Sequence, residues 1–296
     1  MGDLLGEHER IRTSLPIEIK FLANRNGLLD LTFGRGEVQV RARDEISIFN
    51  FRTRRKRRAK EAEKLAAKFA EIEREFIAQL WTKWWDIDAP PPHGRGLQSG
   101  IDRKKFEKLL SRLLRDLKFN RIWAARRFMK SFVRGQRDSG SERYWVETTP
   151  LNIAQANKLL NLFPNALFIN MVRDPRDVIA SLLTKNWGPN TPAEGLEWIE
   201  KRLADGHLAL SKIPDSQKIT IALEDLAIDN REVTYQALLK FLQLKDYAAM
   251  RRFFESHLTP GNASSGRWAN EIASPEFSAG YEAMIDRLRA QEIRFK

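Results

Sequence analysis

Phe168-Ile169-Asn170-Met171-Val172-Arg173-Asp174-Pro175-Arg176-Asp177-Val178-Ile179-Ala180-Ser181 is the stretch on which the fold turns. Its first part continues the apolar run that starts at Ala166, the pattern of a strand buried on both faces. Pro175 forces a turn, and a helix begins near Asp177. In an open α/β sheet, ligands bind outside the carboxyl ends of the strands, which puts Arg173 at the ligand edge. Ser181 lies eight residues on, inside the following helix, where its hydroxyl can face the same edge. Arginine offers a fixed fork of donors to phosphate oxygens, and serine adds one more bond. An Arg–Asp ion pair closing the strand–helix corner is the competing reading, and spacing alone does not choose between them.

The segments on either side extend the pattern. Lys218–Leu223 reads as a second buried strand and Tyr144–Val146 as a short one. Helices are expected at Asn152–Leu162, Pro192–Leu210, Arg231–Leu242 and Tyr247–Ser256. Such alternation argues for a parallel α/β sheet, with 144–146, 167–172 and 218–223 as neighbours and Glu147 and Arg173 at one carboxyl edge. Upstream, 51–138 is almost all helix. Leu65, Phe69, Ile72, Phe76 and Leu80 recur at helical spacing, and Pro90-Pro91-Pro92 ends that run. Ile101–Leu117 and Arg121–Arg134 read as further amphipathic and basic helices, so 51–138 is a helical insertion in one domain spanning 1–296. Residues 1–50 are mixed, with an apolar stretch at Ile17–Leu22 and a short strand at Glu37–Val40. Trp81, Trp84 and Trp85 suit core or lid packing, or a ligand-stacking platform. The basic run Arg52–Lys60 suits the solvated start of a helix. A nucleic-acid patch is the other reading, but no RNP, zinc-finger or helix-turn-helix signature stands beside it.

Composition narrows the classes. The 296 residues are 42% hydrophobic and 30% charged, which excludes a disordered chain. No apolar run approaches the roughly 18 to 20 residues of a membrane span, and the first residues are too polar for a secretory signal. A cytoplasmic location is the expectation. Zero cysteines exclude disulfides, thiolate metal sites and a cysteine nucleophile. His8, His93, His207 and His257 form no H-x-x-x-H pair, so no metal is expected. With 51 Lys and Arg against 39 Asp and Glu, the net charge of +12 favours an anionic partner: nucleic acid, a membrane surface, or a phosphate- or sulfate-bearing ligand.

The stretch Arg173 to Ser181 resembles the 3′-phosphate motif R-D-P-R-D-V-x-x-S of the sulfotransferases that use 3′-phosphoadenosine 5′-phosphosulfate (PAPS). Trp145-Val146-Glu147-Thr148-Thr149-Pro150-Leu151-Asn152 is similar to their W-x-E-[KT]-T-P-x-N segment. Leu223-Glu224-Asp225-Leu226 with Phe241-Leu242-Gln243-Leu244 is similar to their Y-E-D-L and F-L-G-L element. Gly266-Arg267-Trp268 stands where members carry G-x-W or R-W near the 3′-phosphate, and Ile17–Phe21 and Gly27–Leu31 resemble early segments. The resemblance covers about 1–50 and 143–270, with the middle helices family-variable. It implies a P-loop-NTPase-like parallel sheet flanked by helices, and sulfuryl transfer from PAPS to a hydroxyl or amine without a metal. Arg173, Ser181, Gly266, Arg267 and Trp268 would then bind the nucleotide.

One family hallmark, the 5′-phosphosulfate loop [KR]-x-G-[ST]-[ST], does not occur in these residues, and Gly34-Arg35-Gly36 is a poor substitute. The expectation is that the first strand and its loop are missing and that the chain begins inside the first helix. By resemblance Glu18 is the first choice for the base. Glu147 is second, with loop fixing through backbone hydrogen bonds as its competing role. Lys20 pairs with Glu18 or touches sulfate, Thr148 replaces a lysine found in some relatives, and His8 reads as an exposed helix histidine. The partners implied are an anionic nucleotide and an acceptor the sequence does not identify; nucleic acid is not expected. The alternative is a non-catalytic, degenerate member of the fold that holds a nucleotide or a polyanion.

Overall fold

The computed structural model describes residues 1–36, 51–86, 96–136 and 140–293, and of 51–59 the helical backbone alone. The expected strand at Glu37–Val40, the side chains of most of the Arg52–Lys60 run and the proline stretch lie outside the described residues. Two compact units emerge, one mainly helical (Arg12–Leu151 with Asn161–Phe163) and one α/β (Met1–Ile11, Asn152–Leu160 and Pro164–Lys296).

In the helical unit, α1 (Phe51–Gln79) runs on into a π-helical turn at Leu80–Trp84, followed by α2 (Arg103–Asp116) and α3 (Arg121–Gly135). Each of the last two starts where a short polar side chain satisfies an end N–H. Asp102 accepts from Lys105 N at 3.0 Å and Asn120 from Trp123 N at 2.9 Å. Their apolar faces close on an aromatic core. The Phe21 ring stands 5.4 to 6.4 Å from Phe76, Phe106, Phe128 and Phe132, edge-on to each. Trp84 and Trp85 are buried in the same cluster, Trp85 at 5.5 Å from Phe106, so the tryptophans pack a core. The expected stripe on α1 is buried at Ile72, Phe76 and Leu80. Leu65 is exposed, because the described neighbours reach only the second half of the helix.

The sequence reading misplaced one strand. β1 (Ile11–Thr13) pairs with β2 (Tyr144–Val146), and Ser14 N donates to Val146 O at 2.8 Å. Tyr144–Val146 is therefore not a neighbour of the strand at 168–172. The buried Gln136 explains it. Its Oε1 accepts from Trp145 Nε1 at 3.1 Å and from Leu15 N at 3.3 Å, and its Nε2 donates to Leu15 O at 2.5 Å. The residue that ends α3 thus clamps both strands to the helical unit.

In the α/β unit, β3 (Phe168–Val172) lies parallel to β4 (Lys218–Ala222), with Phe168 opposite Lys218 and Val172 opposite Ala222. Around them are α4 (Pro175–Leu183), α5 (Pro192–Leu210), α6 (Arg231–Leu242), α7 (Ala248–His257) and α8 (Pro275–Ala290). The architecture is α/β, parallel strands flanked by helices with a helical insertion. Its core joins Ile179 of α4, Leu196 and Ile199 of α5, and Phe277, Met284, Ile285 and Leu288 of α8. Gly195 permits the α4–α5 contact, since a Cβ there would fall 2.5 Å from Ile179 Cγ2. β3 is less enclosed than its apolar sequence suggests. Ile169, Asn170 and Met171 are half-buried, because β4 is its sole strand partner among the described residues.

Truncating the hub of the aromatic core should be costly. Phe21→Ala is expected to lower unfolding free energy by about 3–5 kcal/mol, read from the urea midpoint at constant slope. A loss below about 1 kcal/mol would mean that the cluster collapses onto the gap.

Candidate active site

The site is built at the carboxyl ends of β3 and β4. Chain direction changes within three residues of Val172. Asp174 caps α4 by accepting from Arg176 N at 2.9 Å, and Pro175 supplies a first helical residue that needs no N–H partner. Asp174 N donates to Glu224 Oε1 at 2.9 Å, which ties the end of β3 to the residue just past β4.

Asp177 organises the rest. Its side chain has no exposed surface. Oδ2 accepts from Gly266 N at 2.8 Å and Oδ1 from Trp268 N at 3.2 Å, so a segment about ninety residues downstream is held against the first turn of α4. Gly266 has φ +80°, the left-handed region, which turns its N–H toward the carboxylate without a Cβ penalty. Arg173 Nη2 stands 3.7 Å from the same Oδ2 and donates to Ser264 O at 2.6 Å.

Both readings of Arg173 are thus present in one side chain. It closes the corner as an ion-pair partner, yet stays 22% exposed, and its Nε is buried with no hydrogen-bond partner among the described residues. Glu224 Oε2 is a second buried atom without a partner there.

The other expected nucleotide residues are placed as follows. Gly266 and Trp268 join Arg173 around Asp177. Arg267 pairs with Glu271 at 2.8 and 3.0 Å, which raises its pKa. Trp268 supports Arg176, whose guanidinium lies 4.0 Å from the indole centroid and 4.7 Å from the Tyr281 ring while pairing with Asp174 at 2.7 Å. The bond to Asp174 raises the Arg176 pKa, and burial raises that of Tyr281. Ser181 is half-buried on α4.

Glu18 and Glu147 belong to the helical unit. Glu147 Oε1 accepts from Ile19 N at 2.6 Å, from Thr149 N at 3.0 Å and from the Thr149 hydroxyl. Thr148 donates to Ile17 O through N at 3.3 Å and Oγ1 at 2.9 Å. The segment carrying the half-buried Glu18 is therefore pinned on both sides, and the geometry gives Glu147 the loop-fixing role. Arg35 is used structurally, bonding Asn26 at 2.8 Å and Glu71 at 2.8 Å. His8 is not the exposed histidine expected. It is buried against the Tyr247 ring at 5.3 Å, and its Nε2 lies 3.2 Å from Lys245 O. A cavity of about 830 Å³ is lined by Asn170, Val172, Lys218 and Thr220 of the two strands, and Arg173, Asp177 and Glu224 do not line it. Sequence reasoning missed Asp177, Arg176 and Glu224 as builders of the site. The charge alternation around Pro175 was the available signal.

The model of the family described as "Sulfotransferase family" matches residues 39–248. The chain belongs to the sulfotransferase family. The match runs through α1, α2 and α3, so the helical insertion lies inside the family region of this sulfotransferase. A solved structure titled "Sulfotransferase Domain from the Curacin Biosynthetic Pathway" is similar at 13% identity and a TM-score of 0.40, covering 63% of this chain and 77% of that one. Comparison with curated proteins gives no match. Among the described residues no group of His, Asp or Glu is arranged to hold a metal ion, and no helix is long and apolar enough to cross a membrane.

The buried carboxylate is open to a direct test. Asp177→Ala leaves two backbone N–H groups without their acceptor and Arg173 without its ion-pair partner, and is expected to cost about 3–5 kcal/mol. Hydrogen exchange should quicken at Gly266 and Trp268 before the core. Unchanged protection at both amides would mean that other contacts hold the segment.

Proposed function

We propose that this sulfotransferase takes PAPS as its sulfuryl donor and transfers the group in line to a hydroxyl or amine acceptor. The observation that carries this reading is Arg173 at the end of β3, whose guanidinium stays partly exposed there. A guanidinium with donor capacity to spare at a strand's carboxyl edge suits an anion such as the 3′-phosphate. Ser181 would add a hydroxyl donor, and Gly266, Arg267 and Trp268 would line the nucleotide's flank. PAPS supplies the activated S–O bond. Glu18, on the segment pinned by Glu147, would accept the acceptor's proton as the new S–O bond (to a hydroxyl) or S–N bond (to an amine) forms. The bond to the 5′-phosphate breaks, and the leaving phosphate keeps the electron pair. Residues 1–296 contain no 5′-phosphosulfate loop, whose backbone donors would stabilise that phosphate. Losing one such donor costs about 10²–10³ in rate, so turnover by these residues alone is expected to be low. The same missing loop favours a second reading, a non-catalytic member that binds the nucleotide or another polyanion.

Calorimetry with 3′-phosphoadenosine 5′-phosphate and with 5′-AMP tests the assignment. Arg173→Ala should weaken the first by roughly tenfold to a hundredfold and leave the second nearly unchanged. Equal loss for both would make Arg173 purely structural.

Transfer of labelled sulfate from PAPS to a panel of hydroxyl acceptors tests the base. Glu18→Gln should remove most of the residual turnover at unchanged nucleotide affinity. Glu147→Gln should lower thermal stability together with turnover. Nucleotide binding without any transfer would establish the non-catalytic reading.

A further inference from the structure

Beside the basic run Arg52–Lys60, a second stretch that the nucleotide site does not use is strongly positive. Residues 102–136, which contain α2, α3 and their connection, hold twelve Lys and Arg against three Asp and Glu, a net +9 within a chain total of +12. Two of the three acids are already engaged. Glu107 pairs with Arg103 at 2.9 Å, and Asp116 with Arg115 at 3.1 Å and Arg127 at 3.0 Å. Asp116 is the sole acid between Lys108 and Gln136. The connecting end of this hairpin is therefore net positive, with Asp116 as its one acid.

That same end presents apolar surface. Among the described residues eight large hydrophobic side chains are exposed, and three of them fall within the five residues 119–123: Phe119 at 84%, Trp123 at 51% and Ile122 at 38%. They are fixed in place rather than loose. Phe119 N and Asn120 N both donate to Asp116 O, at 3.0 and 3.2 Å, and Asn120 caps α3 directly beneath Trp123. Arg127 lies 5.1 Å from the Trp123 ring while holding Asp116. Nothing in the unit's own core requires these side chains, since α3 packs inward through Ala124, Ala125, Phe128 and Phe132.

The geometry points to this end of the hairpin, Phe119, Ile122 and Trp123 with the exposed Lys118 beside Phe119 and Arg127 at the Trp123 ring, as a docking surface for an anionic phospholipid bilayer. Exposed aromatic and aliphatic side chains on a cationic helical hairpin match the headgroup–acyl boundary. Rings and the isoleucine enter the apolar side while ammonium and guanidinium groups stay at the phosphates. A nucleic acid would meet the charge, but it offers no environment that desolvates Ile122, whose side chain has no face on which a base stacks. The contact is interfacial and needs no spanning helix.

The absence of native cysteine makes the test direct. A single thiol is introduced by Phe119→Cys, and in a second sample by Val233→Cys, which is 74% exposed on α6. Each is labelled with a polarity-sensitive dye and mixed with phosphatidylcholine vesicles containing about 30% phosphatidylserine, with pure phosphatidylcholine vesicles, or with a single-stranded oligonucleotide. The expected result is a blue shift at position 119 on the anionic vesicles alone, none at 233, and loss of the shift as salt is raised. In vesicle flotation, unlabelled Phe119→Ser/Trp123→Ser should bind at least tenfold more weakly than the parent, and Lys118→Glu by about fivefold or more. Far-UV circular dichroism identical to the parent's keeps both variants interpretable, and the wild-type flotation and dye shift stand without them. No shift on anionic vesicles, a shift at 233 equal to that at 119, or a shift with the oligonucleotide alone would overturn the proposal.

Discussion

A carboxylate without exposed surface cannot exist in a fold unless its surroundings replace the water it has lost. Asp177 has that replacement in two backbone N–H groups, from Gly266 and Trp268, with the Arg173 guanidinium facing one of its oxygens. The consequence runs outward. The Ser264–Trp268 segment has to lie against α4, Gly266 has to adopt a left-handed turn, and Trp268 comes to rest on Arg176. The residues that surround the strand ends are therefore assembled by one buried charge, and their arrangement is no looser than its hydrogen bonds.

The corner between β3 and α4 illustrates how alternating charges around a proline are sorted by geometry. Asp174 takes the capping position and the Arg176 pair, Glu224 receives the Asp174 N–H, and Asp177 receives the distant loop. After these bonds are made, two buried polar atoms remain, Arg173 Nε and Glu224 Oε2. A buried polar atom without a partner costs about 1–3 kcal/mol. Two such atoms at one strand edge are polarity that the bonding of the described residues does not consume.

The helical unit divides its residues differently. Its interior is aromatic, Phe21 touching four other phenylalanines, and its hydrogen bonding is concentrated where chain segments meet. Gln136 joins Leu15 to Trp145, and Glu147 joins Ile19 to Thr149. Glu147 is thereby a positioning group, and Glu18 is the neighbouring carboxylate on the segment it positions. Residues 102–136, which contain α2, α3 and their connection, carry a net +9, and the run Arg52–Lys60 holds seven further Lys and Arg with no acid among them. An overall charge of +12 is compatible with one modest anionic ligand or one extended surface, and only its distribution separates a nucleotide pocket from a patch.

The sequence by itself determined the local elements. The strand at 168–172, the helix at Pro192–Leu210 and the helix at Arg231–Leu242 were legible because hydrophobic period, proline and flanking polar residues are local signals, and the R-D-P-R-D run pointed to the family. Tertiary structure decided what those signals do not encode. Tyr144–Val146 joined β1 because a buried glutamine more than a hundred residues from Leu15 bonds to both strands. His8 became buried because the segment around Tyr247 covers it, and Leu65 stayed exposed because no described element reaches it. Glu147 turned inward to backbone donors that its own neighbours in sequence only partly supply. In each case the deciding quantity is which distant group satisfies a polar atom or covers an apolar one. That is a property of packing between segments and leaves no trace in the spacing of residues along one of them.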